Sequence, residues 1–276
     1  MICAWKELLS ILPLWLRDEV DALGAEGLQE LRLRINAPPE LVCSYGVRWL
    51  KRKISQDDLH FCVNTASRYS PWNAVTSAQG YLTAPGGHRI GLCGEAICKE
   101  GQMSGIREIR SLCIRVARDF RGIAENVPHQ GSILILGAPG CGKTTLLRDL
   151  IRVISEKGEH ISVVDERLEL FPAGIFDAGP RTDVLSGCPK GWGIDTVLRT
   201  MGPSWIAVDE ITESSDCTAL LHAGWCGVKL VATAHAGSFQ DYRNRTIYRP
   251  LVESGIFETV LLLRGDKTWR IERSIR

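Results

Sequence analysis

A glycine-rich run, Gly137-Ala138-Pro139-Gly140-Cys141-Gly142-Lys143-Thr144, has the spacing G-x-x-x-x-G-K-[ST] and leads into a helical pattern, Leu146, Leu147, Leu150 and Ile151. Glycines at these places let the backbone bend until its N–H groups converge on phosphate oxygens, and the start of the helix adds partial positive charge. Lys143 is expected to reach the β- and γ-phosphates of ATP, and the Thr144 hydroxyl to ligate Mg²⁺. Gly137 to Thr145 is therefore the expected nucleotide-binding segment, with Cys141 contributing a small side chain.

Further along, the apolar Trp205-Ile206-Ala207-Val208 delivers Asp209-Glu210 at its carboxyl end, where open α/β sheets bind ligands. Asp209 is expected to hold the metal, and Glu210 to take a proton from the water that attacks the γ-phosphate. Asp165-Glu166 closes the run Ile161 to Val164, with Glu169 close behind. That pair suits a solvated turn as well as a second set of carboxylates at the same rim. His235 follows Leu230 to Thr233 and could sense the γ-phosphate, position water or serve a structural role.

These residues need a sheet to hold them. Ser132 to Leu136 is too short for a helix and apolar throughout, as in a strand buried on both faces. Similar runs recur at Ile161 to Val164, Trp205 to Val208, Leu230 to Thr233 and Val260 to Leu263, separated mostly by helical patterns, and Thr268 to Ile275 could add an edge strand. Strands alternating with helices predict a mainly parallel sheet covered on both faces. Upstream, Trp5, Leu8, Leu9 and Leu12 repeat at helical spacing up to Pro13, and a second helix is expected from Leu14 to Leu23. Leu31, Leu33 and Ile35 alternate with Arg32 and Arg34 as in a half-buried strand, and Pro85-Gly86-Gly87 suits a tight hairpin. The organisation expected is α/β: a smaller N-terminal α+β domain over 1–126 and a nucleotide-binding domain over 127–276.

The 276 residues are 45% apolar and 24% charged, with a net charge of +1, which excludes a disordered chain and a broad field for holding a duplex or an anionic membrane. The basic cluster Arg48-Trp49-Leu50-Lys51-Arg52-Lys53 reads as a strand edge kept soluble by charge, or as a patch for nucleic acid or anionic lipid. No apolar run approaches the roughly 18 residues a bilayer requires, and the start lacks a signal-peptide pattern, so a cytoplasmic, soluble chain is expected. Ten cysteines without a C-x-x-C pair suggest neither a zinc ribbon nor a disulfide framework, and most are expected to be buried.

Taken together, the phosphate loop, Val164-Asp165-Glu166-Arg167-Leu168-Glu169, Asp209-Glu210 and Thr233-Ala234-His235 follow the order seen in secretion and type IV pilus ATPases, which this sequence resembles. Within that superfamily it is similar to the stage III sporulation AA family of endospore formers. The matching residues are Glu30-Leu31-Arg32-Leu33-Arg34, Gly80-Tyr81-Leu82, Pro85-Gly86-Gly87-His88-Arg89-Ile90-Gly91, Arg181-Thr182-Asp183-Val184-Leu185 and Ala207-Val208-Asp209-Glu210-Ile211. The resemblance spans nearly the whole chain. Two departures are Thr212-Glu213, where the family commonly has a glycine, and Phe257-Glu258-Thr259, where it has Phe-Glu-Arg.

The resemblance implies a RecA-like P-loop core and a homo-hexameric ring holding ATP between subunits. It also implies membrane-protein partners in the mother cell to forespore channel complex, with peripheral association at the inner membrane face in the mother cell and no specific nucleic acid. On this view Glu166 joins Lys143, Glu210 and His235 in catalysis. Arg181 and Arg199 are candidates for the γ-phosphate, because a guanidinium fork stabilises charge spread over the transferring phosphoryl group; an ordinary surface ion pair is the alternative for each. The function expected is Mg-dependent ATP hydrolysis, against the alternatives of an ATP-binding assembly scaffold with little turnover and a nucleic-acid-stimulated ATPase.

Overall fold

The computed structural model describes residues 3–67, 80–99, 102–172 and 176–273. Two compact units divide the chain, Met1–Asp119 and Phe120–Arg276. The division falls ahead of the expected one after residue 126, because the intervening segment packs with the second unit. Ala124 N donates to Asp149 Oδ2 at 2.8 Å, and Ala124 and Val127 are buried with Ile133 and Leu150.

The N-terminal unit begins with α1 (Trp5–Ser10) and α2 (Leu14–Asp21), separated by Pro13, whose extended backbone ends one helix and caps the next. Then come β1 (Leu28–Arg34), β2 (Glu40–Cys43), β3 (Gly46–Trp49), α3 (Gln56–Ser67), β4 (Tyr81–Thr83), β5 (Arg89–Lys99) and β6 (Gln102–Arg115). The strands form an antiparallel sheet in the order β3-β2-β1-β6-β5-β4. Leu31, Leu33, Leu41, Ile90 and Ile114 point from it onto Leu8, Leu12, Leu16 and Leu59, so the amphipathic opening helices pack on their own unit. β4 and β5 meet across Pro85-Gly86-Gly87, where Gly86 and Gly87 take φ of 81° and 71°. The basic cluster lies on and just after the edge strand β3, and the Arg52 guanidinium stacks 4.5 Å from the Trp15 ring.

The second unit contains β7 (Ile133–Gly137), α4 (Lys143–Glu156), β8 (Ile161–Asp165), β9 (Thr182–Ser186), α5 (Lys190–Thr200), β10 (Trp205–Glu210) and α6 (Ser214–Trp225). It continues with β11 (Lys229–His235), α7 (Phe239–Asn244), α8 (Arg249–Ser254), β12 (Thr259–Leu263) and β13 (Trp269–Arg273). The sheet order is β13-β12-β7-β11-β10-β8-β9, parallel except for the β12–β13 pair. Alternate residues of the central strands feed two cores. Ile133, Ile135, Val163 and Ala207 pack on α4 through Leu147, Leu150 and Ile154, whereas Leu134, Leu136, Ile206 and Val208 meet Leu220, Ala223 and Ile194. That two-sided burial explains the unbroken apolar runs.

β13 supplies the expected edge strand as far as Arg273; the remainder of the anticipated stretch lies outside the described residues. The cysteines correct one expectation. All ten are free, but four are buried and three are intermediate; Cys93 and Cys98, on the part of β5 beyond its pairing with β4, and Cys226, just after α6, are exposed. Among the described residues no helix is long and apolar enough to cross a membrane.

Candidate functional site

The glycine loop leaves β7 through a contact that a side chain would block. A Cβ on Gly137 would stand 2.5 Å from Cys141 Sγ and 2.9 Å from the Leu263 carbonyl oxygen. Gly140 and Gly142 have φ of 73° and 105°, the conformation that curls the loop before α4 starts at Lys143. Cys141 is buried inside this curl, a place for a small side chain. The Lys143 ammonium donates to the carbonyls of Gly137 and Ala138, both at 3.0 Å, and to His235 Nδ1 at 3.1 Å. Burial holds it below the usual lysine range, opposed by the negative charges of Glu210 and Asp209.

The acids come from β10, two strands away from β7. Its register against β11 slips between Val208 and Glu210, so Asp209 occupies a bulge. Asp209 Oδ1 accepts from Thr233 Oγ1 at 3.2 Å and from Thr144 Oγ1 at 3.5 Å. Desolvation, reinforced by the nearby Glu169, pushes the Asp209 carboxyl up to about 6. Glu210 Oε1 lies 2.8 Å from His235 Nε2, so the imidazole bridges the loop lysine and the strand-end glutamate.

A hydroxyl and a desolvated carboxylate facing a glycine cradle fit Mg²⁺ that arrives with a polyphosphate, since this ion takes few protein ligands and shares phosphate oxygens. Among the described residues no cluster of three or more His, Cys, Asp or Glu is arranged to hold an ion by itself.

Asp165 and Glu166 have different surroundings. The Asp165 carboxylate accepts the backbone N–H groups of Glu169, Leu170 and Phe171 at 2.9, 3.0 and 3.0 Å, closing the loop after β8. It is fully buried, with its carboxyl raised by that burial. Glu166 instead pairs with the Lys190 ammonium and shares a small cavity with Arg167, Lys190, Asp209 and Glu210.

Neither arginine is brought to this loop within one chain. Arg181 precedes β9; its carbonyl accepts from Ile161 N, and its guanidinium donates to Gly158 O at 2.8 Å. Both contacts lie at the amino ends of the parallel strands, whereas Lys143 follows the carboxyl end of β7. Arg199 is exposed in the last turn of α5, which leads to the amino end of β10. There a cation meets the negative end of the helix dipole.

Sequence reasoning passed over two lysines. Lys190 begins α5 without any neighbouring motif. Lys267, in the β12–β13 turn, donates to the Gly140 carbonyl at 2.9 Å. With Trp269, Leu263, Ile123 and Phe120 it lines a cavity of about 430 Å³ that adjoins Gly140 to Gly142 and Thr145. Trp269 and Leu263 were legible only as strand residues.

Strand, glycine loop and helix at the carboxyl edge of a parallel sheet, with acids arriving on the strand two places away, define a RecA-like P-loop protein of the secretion-ATPase fold. The chain belongs to the family described as sporulation stage III, protein AA, whose sequence profile matches residues 6–273. It is 35% identical to stage III sporulation protein AA of Bacillus subtilis (strain 168), covering 95% of this chain and 92% of that one. The ATPase DotB of Legionella pneumophila superimposes with a TM-score of 0.64 at 16% identity, over 95% of this chain and 80% of DotB. The pilus retraction motor PilT, solved with bound ADP, gives 0.63 at 15% identity, over 95% and 78% of the two chains. At these identities the two structures establish likeness of fold.

Proposed function

We propose that the chain binds and hydrolyses ATP with Mg²⁺ and works as a homo-hexameric ring beside the membrane proteins of the sporulation channel. The observation that carries the reading is the convergence of Lys143, His235 and Glu210, with Asp209 and Thr144 alongside, on one glycine loop. The loop amides and Lys143 hold the β- and γ-phosphates, and the apolar cavity beside Thr145 takes the base. Thr144 and Asp209 hold Mg²⁺, which when bound neutralises charge on the β- and γ-phosphate oxygens. Water attacks the γ-phosphorus, its proton passes to Glu210, and the bond to the β-phosphate oxygen breaks with its electron pair leaving on ADP.

Membrane partners and a peripheral position at the inner face in the mother cell extend this reading through the family relationship. Arg181 and Arg199 lie away from the chain's own loop, so either one serves the γ-phosphate from a neighbouring subunit or not at all.

Two variants test the proposal. Lys143→Ala abolishes nucleotide binding, whereas Glu210→Gln keeps binding and loses turnover by about 10² to 10⁴. Titration with an ATP analogue and phosphate-release kinetics separate the two. Glu210→Gln turning over at the wild-type rate removes the assigned base.

A further inference from the structure

Lys190 is 5% exposed and occupies the first residue of α5, where the helix dipole disfavours a cation. Two carboxylates from different elements compensate it. One is Glu166, just after β8; the other is Asp216 in the first turn of α6, 3.6 Å from the ammonium. Asp216 is held in turn, accepting from Thr212 N at 2.9 Å and Glu213 N at 3.1 Å as part of the α6 capping box. The lysine reaches both acids because α5 lies close against β8. A Cβ on Gly193, one turn further along α5, would sit 2.5 Å from Val164 Cγ1.

We propose that Lys190 is the positioning residue of this site. It fixes the Glu166 carboxylate on the cavity shared with Asp209 and Glu210, and it ties the loop after β8 to the loop after β10. The proposal rests on the reading that ATP is hydrolysed at the Lys143 site. Without the ammonium, Glu166 swings free of the cavity and Asp216 is left buried beside it, so the two acids no longer move as one. An arginine retains the charge and most of this restraint; a neutral side chain does not.

Phosphate release and binding of a non-hydrolysable ATP analogue, measured on the full chain, provide the test. Lys190→Met is expected to lower turnover at least tenfold while the analogue Kd stays within about threefold, and Lys190→Arg to recover a large part of the loss. Combining Lys190→Met with Glu166→Gln is expected to be little slower than the worse single variant, since both remove the same restraint. If Lys190→Met fails to fold, the double variant Lys190→Met with Asp216→Asn removes the unbalanced buried charge. It should fold, bind the analogue and still turn over slowly. Wild-type turnover in that double variant, or in Lys190→Met, overturns the assignment, as do losses that multiply in the Glu166 pair. A wild-type chain that does not hydrolyse ATP at all overturns the reading of the site and this inference together, whereas wild-type turnover with unaffected variants overturns this inference alone.

Discussion

The Lys143 ammonium lies 3.1 Å from Nδ1 of His235. An ammonium has no lone pair, so it donates and Nδ1 accepts, which leaves the imidazole proton on Nε2, facing Glu210 Oε1 at 2.8 Å. The two side chains that the proposed reaction uses on phosphate and on water are thus linked through one aromatic ring. His235→Asn is expected to lower turnover about tenfold, less than Glu210→Gln, with the analogue Kd nearly unchanged. Parallel kinetic and binding titrations of the two variants check it. A His235→Asn enzyme at full speed shows that the bridge is incidental.

Asp209 makes stability depend on pH when Mg²⁺ is withheld. Its folded carboxyl titrates at about 6 rather than the ordinary 3.8, so the folded state prefers the protonated acid. Its contribution is fully present below 3.8 and is lost as pH rises through about 6, a difference on the order of 3 kcal/mol. Urea unfolding in chelator from pH 4 to 7 should show this decline, and Asp209→Asn should flatten it. In the proposed site Mg²⁺ with nucleotide needs the carboxylate, so their joint affinity should rise over the same interval and level off above it.

His88 gives the N-terminal unit the opposite slope. The ring is fully buried; Nδ1 accepts from Ala117 N at 3.1 Å and Nε2 faces the Ala4 carbonyl at 2.9 Å, an arrangement met by the neutral ring protonated on Nε2. Burial holds its pKa below the usual 6.5. The unfolded chain therefore takes up a proton first, and stability is full above 6.5 and falls as the solution is acidified below it. Urea midpoints at several pH values should show the fall in wild type and lose that part of it in His88→Gln.

Gly193→Ala sets two effects against each other. A helical alanine gains about 1 kcal/mol over glycine, but the new methyl meets Val164 at 2.5 Å on a stiff β-branched side chain. Overpacking wins, with a net loss of about 1–2 kcal/mol in urea unfolding. Val164→Ala in the same chain should return part of it.

Departures from the family pattern have local physical causes in one case. Where the family commonly has glycine, Thr212-Glu213 begins the capped turn into α6, with Asp216 gathering its backbone N–H groups. The glycine loop was legible because every part of it is close in sequence: strand, glycines, lysine and helix read in order. β9 was not, because an edge strand exposed on most of its residues leaves no apolar run to read.

The amino-acid order alone determined the two-sided apolar strands of the second unit, the glycine loop, and the acids and histidine that end β10 and β11. Each depends on neighbours in the chain and on the periodicity of burial. Tertiary structure alone decided which of these groups meet. Lys143 and His235 lie 92 positions apart, and Lys190 and Glu166 lie 24 apart; strand order and the close seat of α5 on β8 bring them together. The direction of β9 likewise sends Arg181 to the opposite rim. Spacing along a chain says nothing about which edge of a parallel sheet a loop will occupy, because that follows from how strands pair across long separations.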